Sequence, residues 1–307
     1  MKLLTIFAFF LTSVCLYSQN IPEVAYGMVQ RYDSFPSKYV ASRNVDVWLP
    51  ENYTVENKYD VIYMQDGQML FDSTHTWNKQ EWGVDETLSR LIKERKIREC
   101  IVVGIWNGNK LRHFEYFPQK AFEAIPQNKR DSIYDDILKN DPGYKGVVMQ
   151  SDNYLKFLVE ELKPLIDERY ATRTEKEHTF IAGSSMGGLI SMYAICEYPD
   201  VFGGAACIST HWPGLYSLEN NPVPQAFMEY LSDALPDPET HKLYFDHGTK
   251  TLDALYPDLQ KKADSIVKSK GFKRKNWVTK VFQGDDHSEK SWKKRLEIPL
   301  VFLLGKL

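Results

Sequence analysis

The chain has 307 residues, of which 43% are hydrophobic and 13% aromatic, enough apolar side chains to build one large core. Its 38 Lys and Arg residues nearly balance 41 Asp and Glu residues, for a formal net charge of -3, and neither sign forms a long run. We therefore expect a single domain over residues 20–307, and the charge pattern argues against a nucleic-acid partner.

Residues 1–19 have the composition of a secretory signal peptide. Lys2 is followed by an apolar run from Leu3 to Leu16, and polar residues begin at Ser18. This run is shorter than the roughly 20 residues that span a bilayer. We expect cleavage near Gln19, a secreted or periplasmic mature protein, and no membrane insertion after the signal is removed.

Three cysteines would remain in the mature chain: Cys100, Cys196 and Cys207. An odd number does not indicate a disulfide framework, and each cysteine lies within an apolar strand or helix pattern. We expect all three to be small buried hydrophobic residues. The sequence predicts no metal site and no cofactor.

Short β-rich runs alternate with longer segments of helical periodicity along the chain. The predicted strands are 44–49, 59–64, 100–106, 178–182, 204–209, 242–246 and 277–282. The predicted helices are 84–94, 153–168, 186–197, 224–234, 257–270 and 291–304. This alternation indicates an α/β fold with a mostly parallel central sheet and helices on both faces.

The segment 117–151 interrupts this pattern. It is polar and contains Pro118, Pro126, Pro142 and Gly143, so we expect it to be irregular. A connection of this length within a compact domain is usually functional or disordered. We predict a lid or rim beside an active site.

The sequence Gly183-Ser184-Ser185-Met186-Gly187 lies between a predicted strand and a predicted helix. In this Gly-x-Ser-x-Gly arrangement a sharp turn exposes a nucleophilic serine, and flanking glycines relieve the crowding around it. Ser185 is therefore the predicted nucleophile. The amide of Met186, at the helix N-terminus, is placed to donate a hydrogen bond to a developing oxyanion.

A serine hydroxyl becomes a good nucleophile when a neighbouring base accepts its proton, and in this fold type the histidine comes last in the chain. His287 follows the last predicted strand and precedes the last predicted helix. His211 and His247 also lie near strand ends and compete for the role. We predict His287 as the general base.

The carboxylate that orients this histidine is expected after the strand 242–246. Asp253 lies on the following loop, whereas Asp246 is at the end of the strand itself. We favour Asp253, then Asp246, with Asp258 as a more distant third. A second oxyanion donor is expected in the turn after the strand 59–64, where the amide of Gln68 is the predicted group.

At these motifs the chain resembles an esterase family of α/β-hydrolases. The family includes S-formylglutathione hydrolases, feruloyl and acetylxylan esterases, siderophore trilactone esterases and mycolyltransferases. The resemblance is carried by segments 45–50, 63–68, 101–105, 161–164, 183–188 and 287–292. It implies the α/β-hydrolase fold, with Ser185 and His287 in a catalytic triad and the amides of Met186 and Gln68 in the oxyanion hole. In relatives the acid often follows a Gly-Thr pair closely, whereas here three residues separate Thr249 from Asp253.

We therefore expect a serine carboxylic-ester hydrolase that forms an acyl-enzyme. Because the chain is predicted to be exported, acyl or feruloyl esters of polysaccharides or oligosaccharides are the favoured substrates. Five aromatic side chains lie near strand ends: Trp77, Trp82, Trp106, Tyr116 and Trp212. Each taken singly is more typical of a core residue, but as a group in an exported enzyme they are candidates to support sugar or feruloyl rings.

Two alternatives stay open. A siderophore trilactone esterase would use the same triad and meet catecholate anions with Arg112, Lys110 and Lys120. A non-catalytic carbohydrate-binding relative would keep the fold without turnover. The sequence does not indicate an oligomeric state.

Overall fold

The computed structural model describes residues 21–306, so the predicted signal peptide lies outside the described residues. Its centre is one eight-stranded sheet. The strands are β1 (Met28–Phe35), β2 (Arg43–Leu49), β3 (Asp60–Gln65), β4 (Cys100–Ile105), β5 (Thr179–Ser184), β6 (Gly204–Ile208), β7 (Lys242–His247) and β8 (Trp277–Val281). Their order across the sheet is β1-β2-β4-β3-β5-β6-β7-β8.

All seven predicted strands are present, and the six from β4 across to β8 pair in parallel. β2 is antiparallel to both β1 and β4. The sequence analysis missed β1 because most of this edge strand is exposed or half-buried, so it lacks a regular apolar face. Because β3 to β7 are buried throughout or nearly so, they read as continuous apolar runs.

Successive side chains of each strand point to opposite faces of the sheet. In β3, Val61 and Tyr63 belong to one apolar core, whereas Ile62 and Met64 belong to the other. The helices are α1 (Val84–Lys93), α2 (Arg112–Tyr116), α3 (Gln119–Glu123), α4 (Gln127–Asn140), α5 (Ser151–Lys156), α6 (Lys163–Arg169), α7 (Met186–Glu197), α8 (Val223–Ala234), α9 (Pro257–Ser269), α10 (Glu289–Arg295) and α11 (Glu297–Leu304). α1, α10 and α11 cover the face of Ile62, and the other helices cover the opposite face.

The predicted helix 291–304 is two helices, because α10 ends at Arg295 and α11 begins at Glu297. Pro299 lies in the first turn of α11, where a missing backbone N–H leaves no helical hydrogen bond unmade. The predicted helix 153–168 is confirmed as a continuous run of α5, a π-helical stretch (Phe157–Leu162) and α6.

The expectation that segment 117–151 is irregular was wrong, because the segment contains α3 and α4. Phe122 and Ile133 are buried in the core, and the ring of Phe122 packs edge-on against Tyr134 with centroids 5.3 Å apart. These few buried apolar side chains hold α3 and α4 against the core, although most residues of the segment are polar.

Cys100, Cys196 and Cys207 are free and buried, in agreement with their predicted role as small hydrophobic residues. Among residues 21–306, no helix is both long enough and apolar enough to cross a membrane.

Candidate active site

Ser185 lies at the sharp turn between β5 and α7. Its backbone adopts φ 59° and ψ -123°, a left-handed conformation that non-glycine residues rarely adopt. The turn is fixed on both sides: the amide of Ser185 donates to the carbonyl of Ile208 at 2.9 Å, and its carbonyl accepts from the amide of His211 at 3.2 Å. The Cα–Cβ bond of Ser185 therefore points away from the end of the sheet in one defined direction, whereas the hydroxyl can still rotate about it.

Gly183 in the Gly-x-Ser-x-Gly motif, and Gly188 directly after it, lie close to backbone atoms of neighbouring segments. A Cβ atom at Gly183 would lie 2.6 Å from the backbone carbon and oxygen of Gly187. A Cβ at Gly188 would lie 3.0 Å from the carbonyl oxygen of Ile208. Because backbone atoms cannot move aside cheaply, glycine at position 183 is a condition for the turn that presents Ser185.

Asp253 and His287 are joined by a hydrogen bond. His287 Nδ1 lies 2.5 Å from Asp253 Oδ1, and the Asp253 side chain is fully buried. The other carboxylate oxygen of Asp253 accepts from Ser209 Oγ at 2.7 Å and from the amide of Gly248 at 2.5 Å. The amide of His287 donates to Thr251 Oγ1 at 2.9 Å, which ties the histidine loop to the turn that carries Asp253.

These partners keep Asp253 ionised. Burial alone would raise the pKa of this carboxyl group, but the hydrogen bond and charge of His287 oppose it. The Ser209 hydroxyl and the Gly248 amide act in the same direction, and the net pKa lies below the ordinary value. Asp253 is thus an anion that accepts from His287 Nδ1, which leaves Nε2 as the outward nitrogen of the ring.

The competing carboxylates lie elsewhere. Asp246 is fully buried and pairs with Arg295, with Nη2 2.9 Å from Oδ1. Asp258 is exposed and pairs with Lys261 at 3.0 Å. Of the three aspartates weighed from the sequence, Asp253 is the one that contacts His287.

Ser185 and His287 both lie against Tyr256. The hydroxyl of Tyr256 interacts with the side chain of Ser185, and its ring meets the His287 ring edge-on, with centroids 5.9 Å apart. The ring of Trp292 packs on His287 at 5.0 Å. Within residues 21–306 no hydrogen bond joins Ser185 Oγ to His287; such contacts are often long before substrate binds.

The two predicted oxyanion donors occupy helix N-termini. Met186 is the first residue of α7, and Gln68 lies in a 3-10 turn (Gly67–Met69) directly after β3. Amides in the first turn of a helix have no partner within it, so both can donate elsewhere. A Cβ at Gly67 would lie 2.5 Å from the backbone carbon of Gly104 in β4, so the turn is held close to the sheet.

Asp66 directly precedes this turn, and its side chain is held by neighbouring residues. It adopts φ 56° and accepts two hydrogen bonds from Arg112, at 2.6 and 2.7 Å, and a third from Asn107 at 2.7 Å. A Cβ at Gly187 would lie 3.1 Å from Asp66 Oδ2, so this ion pair also adjoins the serine turn. Arg112, predicted as a contact for anionic substrates, is therefore already paired within the protein.

The other residues predicted to line the substrate site differ in exposure and in pairing. Trp82, Tyr116 and Trp212 are buried in the core, which agrees with the alternative that each is a core residue and not a support for substrate rings. Trp106 is half-buried and donates to Asp46, whereas Trp77 is 83% exposed. Lys120 pairs with Glu197, and Lys110 lies 3.7 Å from Asp141 with an exposed side chain.

Three residues that contact this site were not singled out from the sequence: Ser209, Tyr256 and Arg295. Ser209 Oγ donates to Asp253 and accepts from Arg295 at 2.7 Å, and Tyr256 follows Asp253 by three residues. Ser209 and Tyr256 could have been suspected from the sequence, because Ser209 directly follows β6 and Tyr256 follows the turn that carries Asp253. Arg295 could not, because Asp246 and Ser209 precede it by 49 and 86 residues.

Comparison with known proteins identifies the family of the chain. The model of the family described as "Putative esterase" matches residues 38–141 and 144–298. The chain belongs to this esterase family. The uncharacterized protein YbbA of Bacillus subtilis is 26% identical over 272 residues, which cover 86% of this chain and 94% of YbbA. An endo-1,4-beta-xylanase/feruloyl esterase of Xylanibacter ruminicola is 24% identical over 90% of this esterase, which spans 31% of that longer protein.

Solved structures share the fold of this esterase. A ferulic acid esterase superposes with a TM-score of 0.62 at 19% identity and covers 90% of this chain and 98% of its own. The enterobactin esterase FES from Shigella flexneri superposes with a TM-score of 0.63 at 15% identity and covers 92% and 61%. The esterase therefore has the α/β-hydrolase fold predicted from its sequence.

Proposed function

We propose that this esterase hydrolyses carboxylic esters through Ser185, with His287 as general base and Asp253 as its orienting acid. The observation that carries the proposal is the 2.5 Å hydrogen bond from His287 Nδ1 to the buried Asp253, because it directs Nε2 away from the acid. The strained turn at Ser185 presents the hydroxyl on the same end of the sheet.

In the first step Ser185 Oγ attacks the acyl carbon and His287 Nε2 takes the hydroxyl proton. The amides of Met186 and Gln68 donate to the tetrahedral oxyanion. The oxyanion collapses, the alcohol leaves with the proton from His287, and an acyl-enzyme on Ser185 remains. Water then attacks the acyl carbon as His287 takes one of its protons. Ser185 recovers that proton as the carboxylic acid departs.

The favoured substrates are acyl or feruloyl esters of polysaccharides or oligosaccharides. A pocket of about 800 Å³ opens between α4 and the loop 213–222, and its walls include Phe114, Ile133, Tyr144 and Leu215. His211 connects this pocket to the proposed nucleophile, because its ring hydrogen-bonds the backbone of Leu215 at the pocket wall and its amide donates to the carbonyl of Ser185. Such an apolar recess suits the ring of an aromatic acyl group. The segment 117–151 then serves as one wall of the substrate site, since α4 belongs to it.

Two exposed aromatic residues support a glycan as the alcohol. Trp77 is 83% exposed and Tyr216 is 92% exposed. The loop of Trp77 is fastened to α10, which follows His287, because Asn78 donates to Glu289 at 2.8 Å. Tyr216 lies at the pocket between α4 and the loop 213–222. Flat apolar rings held at the surface are suited to stacking against sugar rings. The feruloyl esterase named among the relatives is consistent with this class.

A siderophore trilactone is the second candidate, because an enterobactin esterase is among the structural neighbours. The three cations expected to meet catecholates do not favour it, since Arg112 and Lys120 are paired to Asp66 and Glu197. The third, Lys110, is 77% exposed on its side chain and lies 3.7 Å from Asp141. A non-catalytic carbohydrate-binding role is the remaining alternative. We also propose that the mature protein is secreted or periplasmic, on the composition of residues 1–19.

The test is hydrolysis of p-nitrophenyl acetate, methyl ferulate, acetylated xylan and a catecholate trilactone by the wild type and Ser185→Ala. Ser191→Ala is a matched control, because Ser191 is buried in α7 and its hydroxyl donates to the carbonyl of Gly187. We expect loss of turnover in Ser185→Ala alone, with methyl ferulate or acetylated xylan preferred. Preference for the trilactone would select the second candidate, and absence of turnover on all four would favour the binding protein.

A further inference from the structure

A buried polar pair, Tyr256 and His211, lies directly against Ser185. Tyr256 is fully buried and His211 is 5% exposed, and the Tyr256 hydroxyl lies 2.9 Å from His211 Nδ1. The backbone amide of His211 donates to the carbonyl of Ser185. His211 therefore contacts the backbone of the serine turn and also fixes the Tyr256 hydroxyl. The ring of Tyr256 meets that of His287 edge-on, with centroids 5.9 Å apart, and its hydroxyl interacts with the Ser185 side chain.

The protonation of this pair follows from its surroundings. Burial lowers the pKa of His211 to about 3, and repulsion from His287, His113 and Arg112 in their charged forms acts in the same direction. The carbonyl of Leu215 opposes them by accepting a hydrogen bond from the ring. A neutral imidazole has one N–H and one lone pair. We assign the N–H to the nitrogen that faces this carbonyl, so that Nδ1 accepts from the Tyr256 hydroxyl.

Tyr256 keeps its proton as well. Burial, and then the charge of Asp253, raise the pKa of Tyr256. Its single O–H is directed to His211, so the oxygen lone pairs remain available to accept from the hydroxyl of Ser185. The Ser185 hydroxyl thus has an acceptor beside it before substrate arrives, although residues 21–306 show no hydrogen bond from Ser185 Oγ to His287.

We propose that Tyr256, oriented by His211, is a positioning residue that holds the Ser185 hydroxyl in one rotamer next to His287. The inference rests on the proposed function of Ser185 as nucleophile. Tyr256 takes no proton in the reaction: as the acyl carbon approaches, the serine hydroxyl exchanges its acceptor from Tyr256 to His287. Without the tyrosine hydroxyl, Ser185 distributes over several staggered rotamers and fewer of them are productive.

The test compares Tyr256→Phe, His211→Phe, the double variant and His211→Gln with the wild type, using p-nitrophenyl acetate. We expect kcat to fall about tenfold in each single Phe variant, with KM changed less than about twofold, the scale of one lost hydrogen bond. The double variant should be no slower than Tyr256→Phe, because both changes act through the same hydroxyl. His211→Gln should recover much of kcat, since its side-chain oxygen can accept from Tyr256.

Tyr230→Phe is the matched control, because the Tyr230 hydroxyl donates to Glu197 at 2.6 Å on α7, away from Ser185. It should leave kcat unchanged. Wild-type kcat in Tyr256→Phe, or a double variant that loses the product of the two single effects, would overturn the inference. Ser185→Ala distinguishes the proposed nucleophile from the proposed positioning role. Turnover that survives in Ser185→Ala would refute Ser185 as the nucleophile. An inactive Ser185→Ala together with a fully active Tyr256→Phe would refute only the positioning role of Tyr256.

Discussion

Asp246 and Arg295 form a fully buried ion pair, with Asp246 Oδ1 2.9 Å from Arg295 Nη2. The same guanidinium nitrogen donates to Ser209 Oγ at 2.7 Å and lies 4.0 Å from Asp253 Oδ2. The guanidinium of Arg295 therefore lies near both aspartates, but only Asp253 of the two contacts His287. This arrangement separates a structural carboxylate from the one proposed to act in catalysis.

The two aspartates should respond differently to the same substitution. Asp253→Asn should lower kcat by about 100- to 10,000-fold, because an amide cannot stabilise the charged ring of His287. Asp246→Asn should lower the free energy of unfolding by about 2 kcal/mol, because Arg295 loses the charge of its closest carboxylate and keeps Asp285, at 3.3 Å, as an ion partner. Kinetics and urea unfolding of both variants provide the measurement. Equal loss of kcat at equal stability would contradict the assignment.

Ser209 should tune the proposed acid. Its hydroxyl donates to Asp253 and helps to lower the pKa of that carboxyl group. In Ser209→Ala the pKa of Asp253 should rise, so this carboxyl group should bind its proton at a higher pH than in the wild type. NMR titration of the Asp253 carboxyl carbon gives the measurement, because protonation of the general base also stops turnover at low pH. Ser265→Ala, which removes an exposed hydroxyl of α9, is the control, and an unshifted Asp253 titration in Ser209→Ala would be the contrary result.

The serine turn should not tolerate a methyl group at Gly183. A Cβ there would meet backbone atoms of Gly187 at 2.6 Å, so Gly183→Ala should cost about 1–3 kcal/mol of stability and lower kcat at least about tenfold. In Gly143→Ala the nearest atom is the flexible carboxylate of Asp141 at 2.9 Å, so this control should remain active. Thermal unfolding and steady-state kinetics decide; full activity in Gly183→Ala would be incompatible with the turn described.

Asp85 should make the protein less stable as pH rises. Burial, and then the neighbouring Glu86, raise the pKa of Asp85 to about 7. The folded state therefore binds a proton that the unfolded chain releases near pH 4, so unfolding free energy falls between about pH 4 and 7. Asp85→Asn retains an oxygen for the amide of Ala25, which donates at 2.8 Å, and has no proton to lose.

We expect Asp85→Asn to flatten this part of the stability curve by about 1 kcal/mol or more relative to the wild type. Denaturant unfolding at several pH values provides the measurement, with exposed Asp258→Asn as the control. Parallel curves for wild type and Asp85→Asn would show that the carboxyl group titrates alike in both states.

Much of the fold was predictable because its signals are local. The apolar runs of β3 to β6 and the glycines around Ser185 reflect burial and backbone crowding that neighbouring residues already encode. β1 escaped prediction because an edge strand needs no apolar face. The helices of segment 117–151 escaped because a few aromatic contacts, such as Phe122 with Tyr134, stabilise a largely polar stretch.

Ser185, Asp253 and His287 were predictable because their roles follow from their order along the chain and from their positions after predicted strands. Asp253 was favoured on its loop position, and the structure brings it to His287 across 34 residues. The residues that contact Asp253 from the protein interior, Ser209 and Arg295, were not predictable. Their approach to each other and to Asp246 depends on how α10 packs on the sheet. The orientation of Tyr256 toward Ser185 likewise arises from tertiary packing alone.

The central claim, that His287 activates Ser185, is tested most directly by intact-mass measurement of the enzyme after reaction with a p-nitrophenyl phosphonate ester. The account predicts one adduct per chain, mapped to Ser185, absent in Ser185→Ala and formed at least about 100-fold more slowly in His287→Gln. An adduct on another residue, or labelling of His287→Gln at the wild-type rate, would contradict it.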